Sequence, residues 1–291
     1  MNRTVDVEGR RLGLTNLDKV LWPETGTTKA QLIEYYVAVA PVLLPHLEGR
    51  PLTLRRFPDG VGGITWHQNE IQREPPWFPV FETSGRGGRR LRFAVVDDLA
   101  SLVWVANQAA IELHPFSWRI ERPREPTQLV FDLDPGPPAG LVEAARVALE
   151  LRPRLEARGL EPLPKASGSL GLHVHARLEE PLDAKALARE LAEELADELP
   201  AEVVAEMKRE ARAGKVFVDW LQNDVTRQTV APYSLRGLPH PTVAAPVRWE
   251  EVEHAAGGDA GRIVFTPADV LARIERDGDL FAPVLRRGVT K

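Results

Sequence analysis

The chain contains no cysteine among its 291 residues. This absence excludes disulfide bonds, thiolate zinc sites, iron–sulfur clusters and a cysteine nucleophile, and it is typical of a cytoplasmic protein. The sequence also lacks an apolar run of the roughly 20 residues that a membrane span needs. No apolar stretch follows Met1-Asn2-Arg3-Thr4, as a secretory signal would require. We therefore expect a cytoplasmic protein without a membrane partner.

An excess of positive charge is absent as well. The 37 Lys and Arg residues against 42 Asp and Glu residues give a formal net charge of −5, and the isoelectric point is about 5.9. Taken alone, this balance argues against binding along a phosphate backbone. Local basic groups remain at Arg55-Arg56 and within residues 86–92 and 208–215, and composition by itself favours a solvated surface for them.

Caps, prolines and apolar spacing predict the order of elements. Thr28-Lys29-Ala30-Gln31 has the form of a capping box that begins a helix through Tyr35 and Tyr36. Glycines within residues 85–88 predict a hairpin tip or a mobile loop. Further helices are predicted over residues 97–114, 141–158 and 187–199 and after Thr266, and strands over residues 128–134, 172–178 and 216–221.

The predicted order from residue 128 onward is strand, helix, strand, helix, strand, and a portion of mixed helix and strand precedes it. This order predicts an α/β fold class in which two modules pack as one body. We expect a single domain over residues 1–291, divided into an N-terminal α/β module (about 1–125), a sheet module (about 126–250) and a C-terminal helical tail (about 251–291).

Three acidic residues lie in predicted strands. Asp132 and Asp134 in Phe131-Asp132-Leu133-Asp134 are two residues apart and therefore project from one face of a strand. Two carboxylates this close repel each other unless a cation neutralises them, and hard divalent cations bind carboxylate oxygens. Asp219 lies in the apolar run Val216-Phe217-Val218-Asp219-Trp220-Leu221, where an unpaired charge is costly. Metal binding is one interpretation, and an Asp-Pro-Gly turn with a capped or salt-bridged Asp219 is the alternative.

A histidine strand follows a glycine-rich loop. In Leu172-His173-Val174-His175 both histidines face one side, and the loop Ser167-Gly168-Ser169-Leu170-Gly171 could present backbone N–H groups to a phosphate. Because no Gly-Lys-Ser/Thr follows, this loop is not a P-loop. A His-x-His pair could bind zinc, but acidic partners without cysteines favour phosphate contact. Arginines near carboxylates suit a triphosphate held on metals. The polar residues in question are Arg212, Gln222, Arg227 and Arg236.

Taken in order, these residues resemble the polymerase domain of bacterial ligase D, which belongs to the archaeo-eukaryotic primase superfamily. The resemblance covers about residues 16–251. Each motif alone has low specificity, but all of them in register are highly specific. The motifs are Asn16-Leu17-Asp18-Lys19-Val20-Leu21-Trp22-Pro23, Leu54-Arg55-Arg56-Phe57-Pro58-Asp59-Gly60, Glu112-Leu113-His114-Pro115, Phe131-Asp132-Leu133-Asp134-Pro135-Gly136, Ser167-Gly168 with Gly171-Leu172-His173, Val218-Asp219-Trp220-Leu221-Gln222-Asn223, and Val230-Ala231-Pro232-Tyr233-Ser234.

The resemblance implies a primase-polymerase fold, in which an RNA-recognition-like antiparallel or mixed catalytic sheet packs against an N-terminal α/β module. It implies a nucleotidyltransferase that adds nucleotides, preferring ribonucleotides, to DNA 3′ ends in gap filling and end joining. Asp132, Asp134 and Asp219 match the metal-binding acids, which hold two divalent cations, Mn²⁺ or Mg²⁺. The residues that match nucleotide-binding positions are Arg55, His114, Ser167, His173, Arg212, Gln222 and Arg236.

Two positions depart from the family pattern. Leu170 stands where the family usually has a lysine in the glycine-rich turn, and Asn69 in Trp66-His67-Gln68-Asn69 stands where a basic residue is usual. Both changes remove positive charge from the expected nucleotide and 5′-phosphate surroundings. A charge-assisted phosphate hydrogen bond contributes about 1.5–3 kcal/mol. We therefore expect reduced activity or altered substrate choice, unless Arg227 or the arginines of residues 86–92 substitute.

No Lys-x-Asp-Gly nucleotidylation motif occurs in the sequence, so we expect a stand-alone polymerase domain located at the nucleoid. By family analogy, its partners are DNA with a 3′ primer end and a 5′-phosphate, nucleoside triphosphates, a separate DNA ligase and a Ku-like end-binding protein. The alternatives are a primase, a catalytically decayed nucleic-acid-binding module, and a metal-dependent phosphoesterase that uses the same carboxylates and histidines. The three acids favour an enzyme, whereas Leu170 and Asn69 favour the binding module.

Overall fold

Two five-stranded sheets organise the protein, one in each half of the sequence. The computed structural model describes residues 2–180 and 182–285. The strands in this part are β1 (Arg3–Val7), β2 (Arg10–Leu14), β3 (Val20–Trp22), β4 (Thr27–Thr28), β5 (Pro51–Arg56), β6 (Trp66–Gln68), β7 (Val80–Ser84), β8 (Arg90–Val95), β9 (Ala110–Pro115), β10 (Gln128–Pro135), β11 (Pro162–Ala166), β12 (Leu172–Arg177), β13 (Val203–Val204), β14 (Val216–Asp219), β15 (Leu235–Arg236) and β16 (Thr242–Val243). The helices are α1 (Lys29–Leu47), α2 (Leu99–Asn107), α3 (Leu141–Glu156), α4 (Ala184–Glu198), α5 (Trp249–Ala256) and α6 (Pro267–Asp277). Short 3₁₀ helices cover Arg86–Gly88, Arg209–Arg212, Trp220–Asn223, Ala260–Ile263 and Ala282–Val284.

The N-terminal sheet is built around β5. Strands β6, β8 and β9 each pair antiparallel with β5, and β7 pairs with β8. Helix α1 begins after Thr28, whose side chain accepts a hydrogen bond from Gln31 N while the Gln31 side chain accepts one from Thr28 N. The predicted capping box is therefore confirmed. The helix buries Leu32, Tyr36 and Leu43 in the core.

The second sheet has the strand order β11-β12-β10-β14-β13 and is antiparallel except for the pair β13–β14. Because side chains alternate across a strand, Leu129, Phe131 and Leu133 of β10 share one face, where all three are fully buried. Helices α3 and α4 contact β10 and cover this face. The opposite face carries Asp132 and Asp134.

The C-terminal part of the described chain packs back onto the N-terminal half. Helix α6 contacts α1. Asp279, which follows α6, accepts hydrogen bonds from Tyr233 Oη at 2.6 Å and from His46 Nε2 at 2.9 Å. This half-buried carboxylate links the end of the described chain to α1 and is not in the lining of the cavity described below.

The mixed α/β class predicted from the sequence is confirmed, as are helices α1, α3, α4 and α6 and strands β10 and β12. The helix predicted over residues 97–114 is wrong in its second half, because α2 ends at Asn107, Ala109 has a φ of +56°, and Ala110–Pro115 forms β9. Residues 110–113 are at most 1% exposed. A strand buried on both faces has no polar alternation that would distinguish it from a helix.

The strand predicted over residues 216–221 also ends early. Strand β14 stops at Asp219, whose side chain accepts a hydrogen bond from Leu221 N and caps the 3₁₀ helix Trp220–Asn223. The sequence pattern does not predict β11, because Pro162 and Pro164 interrupt it. This strand lies at the edge of the sheet, where a missing proline N–H removes fewer ladder hydrogen bonds.

Helix α1 contradicts the expectation that no apolar run approaches the length of a membrane span. By length and composition alone, this 19-residue helix is apolar enough to cross a membrane. Half of its most apolar window is buried inside the protein, which is the packing expected of a core helix.

Candidate active site

Asp132 lies at the centre of the second sheet. It is directly opposite His173 of β12 on one side and Asp219 of β14 on the other, and Lys165 of β11 is in turn opposite His173. Directly opposite residues on antiparallel strands share a face and have Cβ atoms about 4.5–5.5 Å apart. These four side chains therefore form one line across the sheet, which we call the titratable row. Asp134, two residues along β10, lies on the same face.

The acids of this face have raised pKa values. Burial raises the pKa of Asp132 to about 6, although the positive charges of Arg236 and Lys165 act to lower it. Withdrawal from bulk water, together with the charges of Asp132 and Asp219, raises the pKa of Asp134 to about 7. Burial and then the charge of Asp132 raise the pKa of Asp219. The three acids resist being ionised together, and bound cations relieve such repulsion.

The donor set fits a hard divalent cation. Asp132, Asp134 and Asp219 offer carboxylate oxygens, which such ions prefer. A bound cation would offset the burial that raises all three pKa values and the repulsion between acids that adds to it at Asp134 and Asp219. Within residues 2–180 and 182–285, no three His, Cys, Asp or Glu side chains already converge as a closed metal site. The acids would therefore hold a cation together with phosphate or water oxygens.

Two of the acids are oriented by neighbouring side chains. His173 Nε2 lies 3.2 Å from Asp132 Oδ1. Burial, and then the charges of Lys165 and Arg236, keep the pKa of His173 well below its usual value, so the ring is neutral. Asp219 accepts hydrogen bonds from Leu221 N at 3.0 Å and from Gln222 Nε2 at 3.1 Å.

The glycine-rich loop between β11 and β12 is closed by Ser167. Its Oγ accepts hydrogen bonds from Ser169 N at 3.1 Å and Gly171 N at 3.2 Å. Gly168 has a φ of +72°, and a Cβ there would lie 2.7 Å from the Val243 carbonyl carbon, so glycine is required. Leu170, in the same loop, is 64% exposed and turns an apolar side chain to the cavity.

Arg55, His114 and Arg236 come from strands outside the second sheet, and we call these three side chains the cationic wall. Burial lowers the pKa of His114, although the hydrogen bond to Glu112 opposes this. Glu112, which is 1% exposed, stands behind the wall. It accepts hydrogen bonds from Arg55 Nη1 and from His114 Nε2, each at 2.9 Å, and lies 3.6 Å from Arg236 Nε. Arg236 also donates from Nη1 to the Ser167 carbonyl at 2.6 Å, which links the wall to the glycine-rich loop.

A cavity of about 670 Å³ joins these groups. Arg55 and Asp219 are not in its lining. Asp219 is hydrogen-bonded to Gln222, which lines the cavity, and Arg55 to Glu112, which does not. Arg212 stands over the Phe217 ring at 3.6 Å and donates to the Met207 carbonyl at 3.1 Å. The predicted site residues that line the cavity are His114, Asp132, Asp134, Ser167, His173, Arg212, Gln222 and Arg236.

Asn69 lies apart from this cavity, in a second one of about 1430 Å³. It accepts a hydrogen bond from Thr53 Oγ1 at 3.0 Å. Arg73 and Arg89 line the same cavity, and Gln228 lines both cavities. The two departures from the family pattern therefore fall in neighbouring but different places, Leu170 beside the acids and Asn69 beside surface arginines.

Two buried charged residues of the site escape the sequence reasoning. Glu112 lies in the apolar run Ala110–Pro115, and Lys165, which is fully buried, lies in the proline-interrupted β11. The signal is the same in both: a charge inside a stretch that otherwise belongs to the core, where an ion needs a partner. The sequence alone does not name all the partners, because Arg55 and Arg236 lie on other strands than Glu112 and the Lys165 acceptor, the Val230 carbonyl, lies in a loop.

Comparison with known proteins agrees with this geometry. The family model for the LigD primase-polymerase domain matches residues 28–281. The multifunctional non-homologous end joining DNA repair protein LigD of Mycobacterium tuberculosis is 42% identical over 283 residues, which cover 93% of this chain and 36% of that protein. The bifunctional non-homologous end joining protein LigD of Bacillus subtilis is 30% identical over 273 residues, covering 92% of this chain and 43% of that protein.

The chain thus spans less than half the length of these two relatives. Among solved structures, the polymerase domain of Mycobacterium tuberculosis ligase D in complex with DNA superposes with a TM-score of 0.87 at 41% identity. The match covers 94% of this chain and 98% of that chain. The family resemblance seen in the motifs is confirmed: the chain belongs to the primase-polymerase domain family of ligase D, a family of metal-dependent nucleotidyltransferases.

Proposed function

We propose that this protein adds nucleotides to the 3′ ends of DNA in gap filling and end joining, with a preference for ribonucleotides. The observation that carries the proposal is the 670 Å³ cavity, whose lining combines an acidic side, Asp132 and Asp134, with a basic side, His114 and Arg236. A nucleoside triphosphate needs both sides, because its phosphates bind cationic side chains and also the metal ions that carboxylates hold.

We propose that Asp132, Asp134 and Asp219 hold two divalent cations, Mg²⁺ or Mn²⁺. Bound there, the cations would lower the pKa of the primer 3′-hydroxyl and offset the negative charge of the leaving pyrophosphate. The neutral His173 ring and the Gln222 amide restrict the rotamers of Asp132 and Asp219. The acids are thereby kept in place before any ligand binds.

The remaining predicted residues position the nucleotide. His114, Arg236 and, through Glu112, Arg55 form a cationic wall for the phosphates. The positive charge of Arg212 stabilises the ionised form of Asp134. The Arg212 guanidinium is also available to a phosphate. Ser167 keeps the glycine-rich loop in a fixed conformation against β12. Positioning of this kind supplies much of the rate enhancement in phosphoryl transfer.

Partners and location are proposed from the family. The mycobacterial relative is named as an end-joining protein and its polymerase domain binds DNA. We propose that this chain acts at DNA ends that carry a 5′-phosphate, in the cytoplasm at the nucleoid, as a single domain with the module boundaries expected above. A DNA ligase and a Ku-like end-binding protein would complete the repair.

The test is primer extension on a 5′-phosphorylated gapped duplex. Ribonucleotides and deoxyribonucleotides are each supplied with Mg²⁺ or Mn²⁺, and the control protein carries Asp132→Ala and Asp134→Ala. Extension that vanishes in the control supports the proposal, and the ratio of the two nucleotide classes measures the sugar preference.

Two other outcomes would change the conclusion. DNA binding without extension under either metal would identify a binding module that has lost activity. Hydrolysis of phosphodiesters without added nucleotide would identify a phosphoesterase. Synthesis without any primer would extend the proposal to a primase.

A further inference from the structure

Glu112 is a carboxylate buried at the back of the cationic wall. Its Oε1 accepts hydrogen bonds from Arg55 Nη1 and Gly237 N, each at 2.9 Å, and lies 3.6 Å from Arg236 Nε. Its Oε2 accepts a hydrogen bond from His114 Nε2 at 2.9 Å. A single carboxylate therefore contacts every side chain of the wall and one backbone N–H group.

These contacts join segments that are far apart in sequence. Arg55 lies on β5, Glu112 and His114 lie on β9, and Arg236 lies on β15. The charges of Arg55 and Arg236 repel each other, and a buried anion beside both offsets that repulsion at short range. Burial acts to raise the pKa of Glu112, yet the hydrogen bond from His114 and the charge of Arg236 hold it at about 2. The carboxylate is therefore ionised at neutral pH.

We propose that Glu112 is a positioning residue for the triphosphate of the incoming nucleotide, and that it holds Arg55, His114 and Arg236 as one preorganised anion-binding unit. This inference rests on the proposed function of the cavity. Glu112 is not in the cavity lining, so it acts through these three side chains and touches no substrate.

The nitrogen atoms that remain free for a ligand support this role. His114 uses Nε2 on Glu112, so Nδ1 can donate to a phosphate only when the ring is protonated. Arg236 donates from Nη1 to the Ser167 carbonyl and turns Nε to Glu112, which leaves Nη2. Hydrogen-bond donors that are already in position bind the negative charge of a phosphate without first having to reorient. Loss of the Glu112 charge should therefore weaken polyphosphate binding more than it slows bond formation.

Glu112→Gln tests the inference, because it preserves the side-chain volume, removes the charge and turns an amide N–H₂ group toward Arg55 or His114. The matched control is Asp279→Asn. Asp279 is also a shielded carboxylate bound to a histidine, His46, but it lies outside the cavity. The measurements are KM for the nucleotide, kcat, the Kd for gapped DNA, and the Kd for inorganic triphosphate by calorimetry.

For Glu112→Gln we expect KM and the triphosphate Kd to rise by about 10- to 100-fold, with kcat changed less than about threefold and the DNA Kd unchanged. Asp279→Asn should leave all four values as in the wild type, even if its melting temperature falls. Unchanged triphosphate affinity in Glu112→Gln would overturn the inference, and so would an equal loss in Asp279→Asn.

Two further variants keep the test decisive. Glu112→Asp retains the charge with a shorter reach and should lose less affinity than Glu112→Gln, and it replaces Glu112→Gln if that protein does not fold. In Glu112→Gln/His114→Ala, the losses should be less than additive, because the first change already disables the second residue. Triphosphate binding needs no polymerase activity. A wild-type protein that binds triphosphate through Glu112 but never extends a primer would keep this inference and reject the proposed function.

Discussion

The two sides of the cavity are built in the same way but with opposite charges. The second sheet contributes Asp132 and Asp134 to the cavity lining, and the cationic wall contributes His114 and Arg236. Each side also has one buried residue of the opposite sign. Lys165 stands at the end of the titratable row, and Glu112 stands behind the cationic wall.

The difference lies in how well each buried residue is paired. Glu112 contacts its cations directly, and its pKa is held at about 2 although burial opposes this. Within the described part of the chain, the Lys165 ammonium donates to one acceptor, the neutral Val230 carbonyl. Burial and the charge of Arg236 lower the pKa of Lys165 to about 7. The cationic side is therefore neutralised from within, whereas the acidic side depends on cations from solution.

The largest expected effect comes from Asp132, which lies between His173 and Asp219 in the titratable row. Asp132→Asn should lower the rate of primer extension by about 10³-fold or more, because a neutral amide cannot hold the cation charge that the reaction needs. Extension rates measured beside Asp197→Asn, an exposed carboxylate on α4, provide the control. A loss below tenfold would show that the acidic side is not where the charge is required.

The second effect concerns stability. Lys165→Met should raise the free energy of unfolding by roughly 1–4 kcal/mol, because an apolar side chain of similar volume removes a buried charge. The pKa of Lys165 is about 7 in the folded protein against an ordinary value of 10.5, so the unfolded state binds more protons between these pH values. Wild-type stability should therefore rise with pH across this window, and the advantage of the variant should be largest below pH 7 and fade toward pH 10.5.

Urea unfolding at pH 6 and pH 9.5 measures this difference. Lys185→Met serves as the control, because Lys185 is 42% exposed and pairs with Asp224, and it should give no gain. A less stable Lys165→Met protein at pH 6 would mean that Lys165 is well paired, and the contrast between the two sides of the cavity would then be wrong.

The third effect concerns the exposed Leu170. Leu170→Lys adds positive charge to the acidic side of the cavity, and we expect nucleotide affinity to increase by about tenfold, since a charge-assisted phosphate hydrogen bond contributes about 1.5–3 kcal/mol. Nucleotide Kd is compared with that of Val264→Lys, which adds the same charge at an exposed position outside the cavity. Equal affinity in wild type and Leu170→Lys would reject the idea that this position limits binding.

The smallest effect is a shift in melting temperature without metal. Asp134→Asn removes one charge from the acidic side, so the variant should melt a few degrees higher than the wild type at pH 8. Because the folded pKa of Asp134 is raised to about 7 from an ordinary value of 3.8, its ionisation destabilises the fold increasingly from about pH 4 to pH 7. The advantage should shrink toward pH 4. Addition of Mn²⁺ should stabilise the wild type more than the variant, and equal shifts would contradict a shared cation site.

Much of the fold and the membership of the site follow from local patterns. The Thr28 capping box and the alternation in β10 can be recognised in the sequence, because capping hydrogen bonds and side-chain alternation depend only on residues close together in the chain. The same alternation puts Asp132 and Asp134 on one face. In contrast, the sequence pattern predicts a helix where β9 forms, because β9 is buried on both faces. It does not predict β11, because prolines interrupt that strand.

What the sequence by itself determined is the family, the element types and the identity of the acids. What the tertiary structure alone decided is which charges meet. Strand register places Asp132 opposite Asp219, which is 87 positions later in the chain, and Arg55 opposite Glu112, which is 57 positions later. The free energy of a charge depends on the solvent and the ions around it. Burial and partners exist only after the two sheets have formed and packed, so the pairing of Glu112 and the near isolation of Lys165 are properties of the fold.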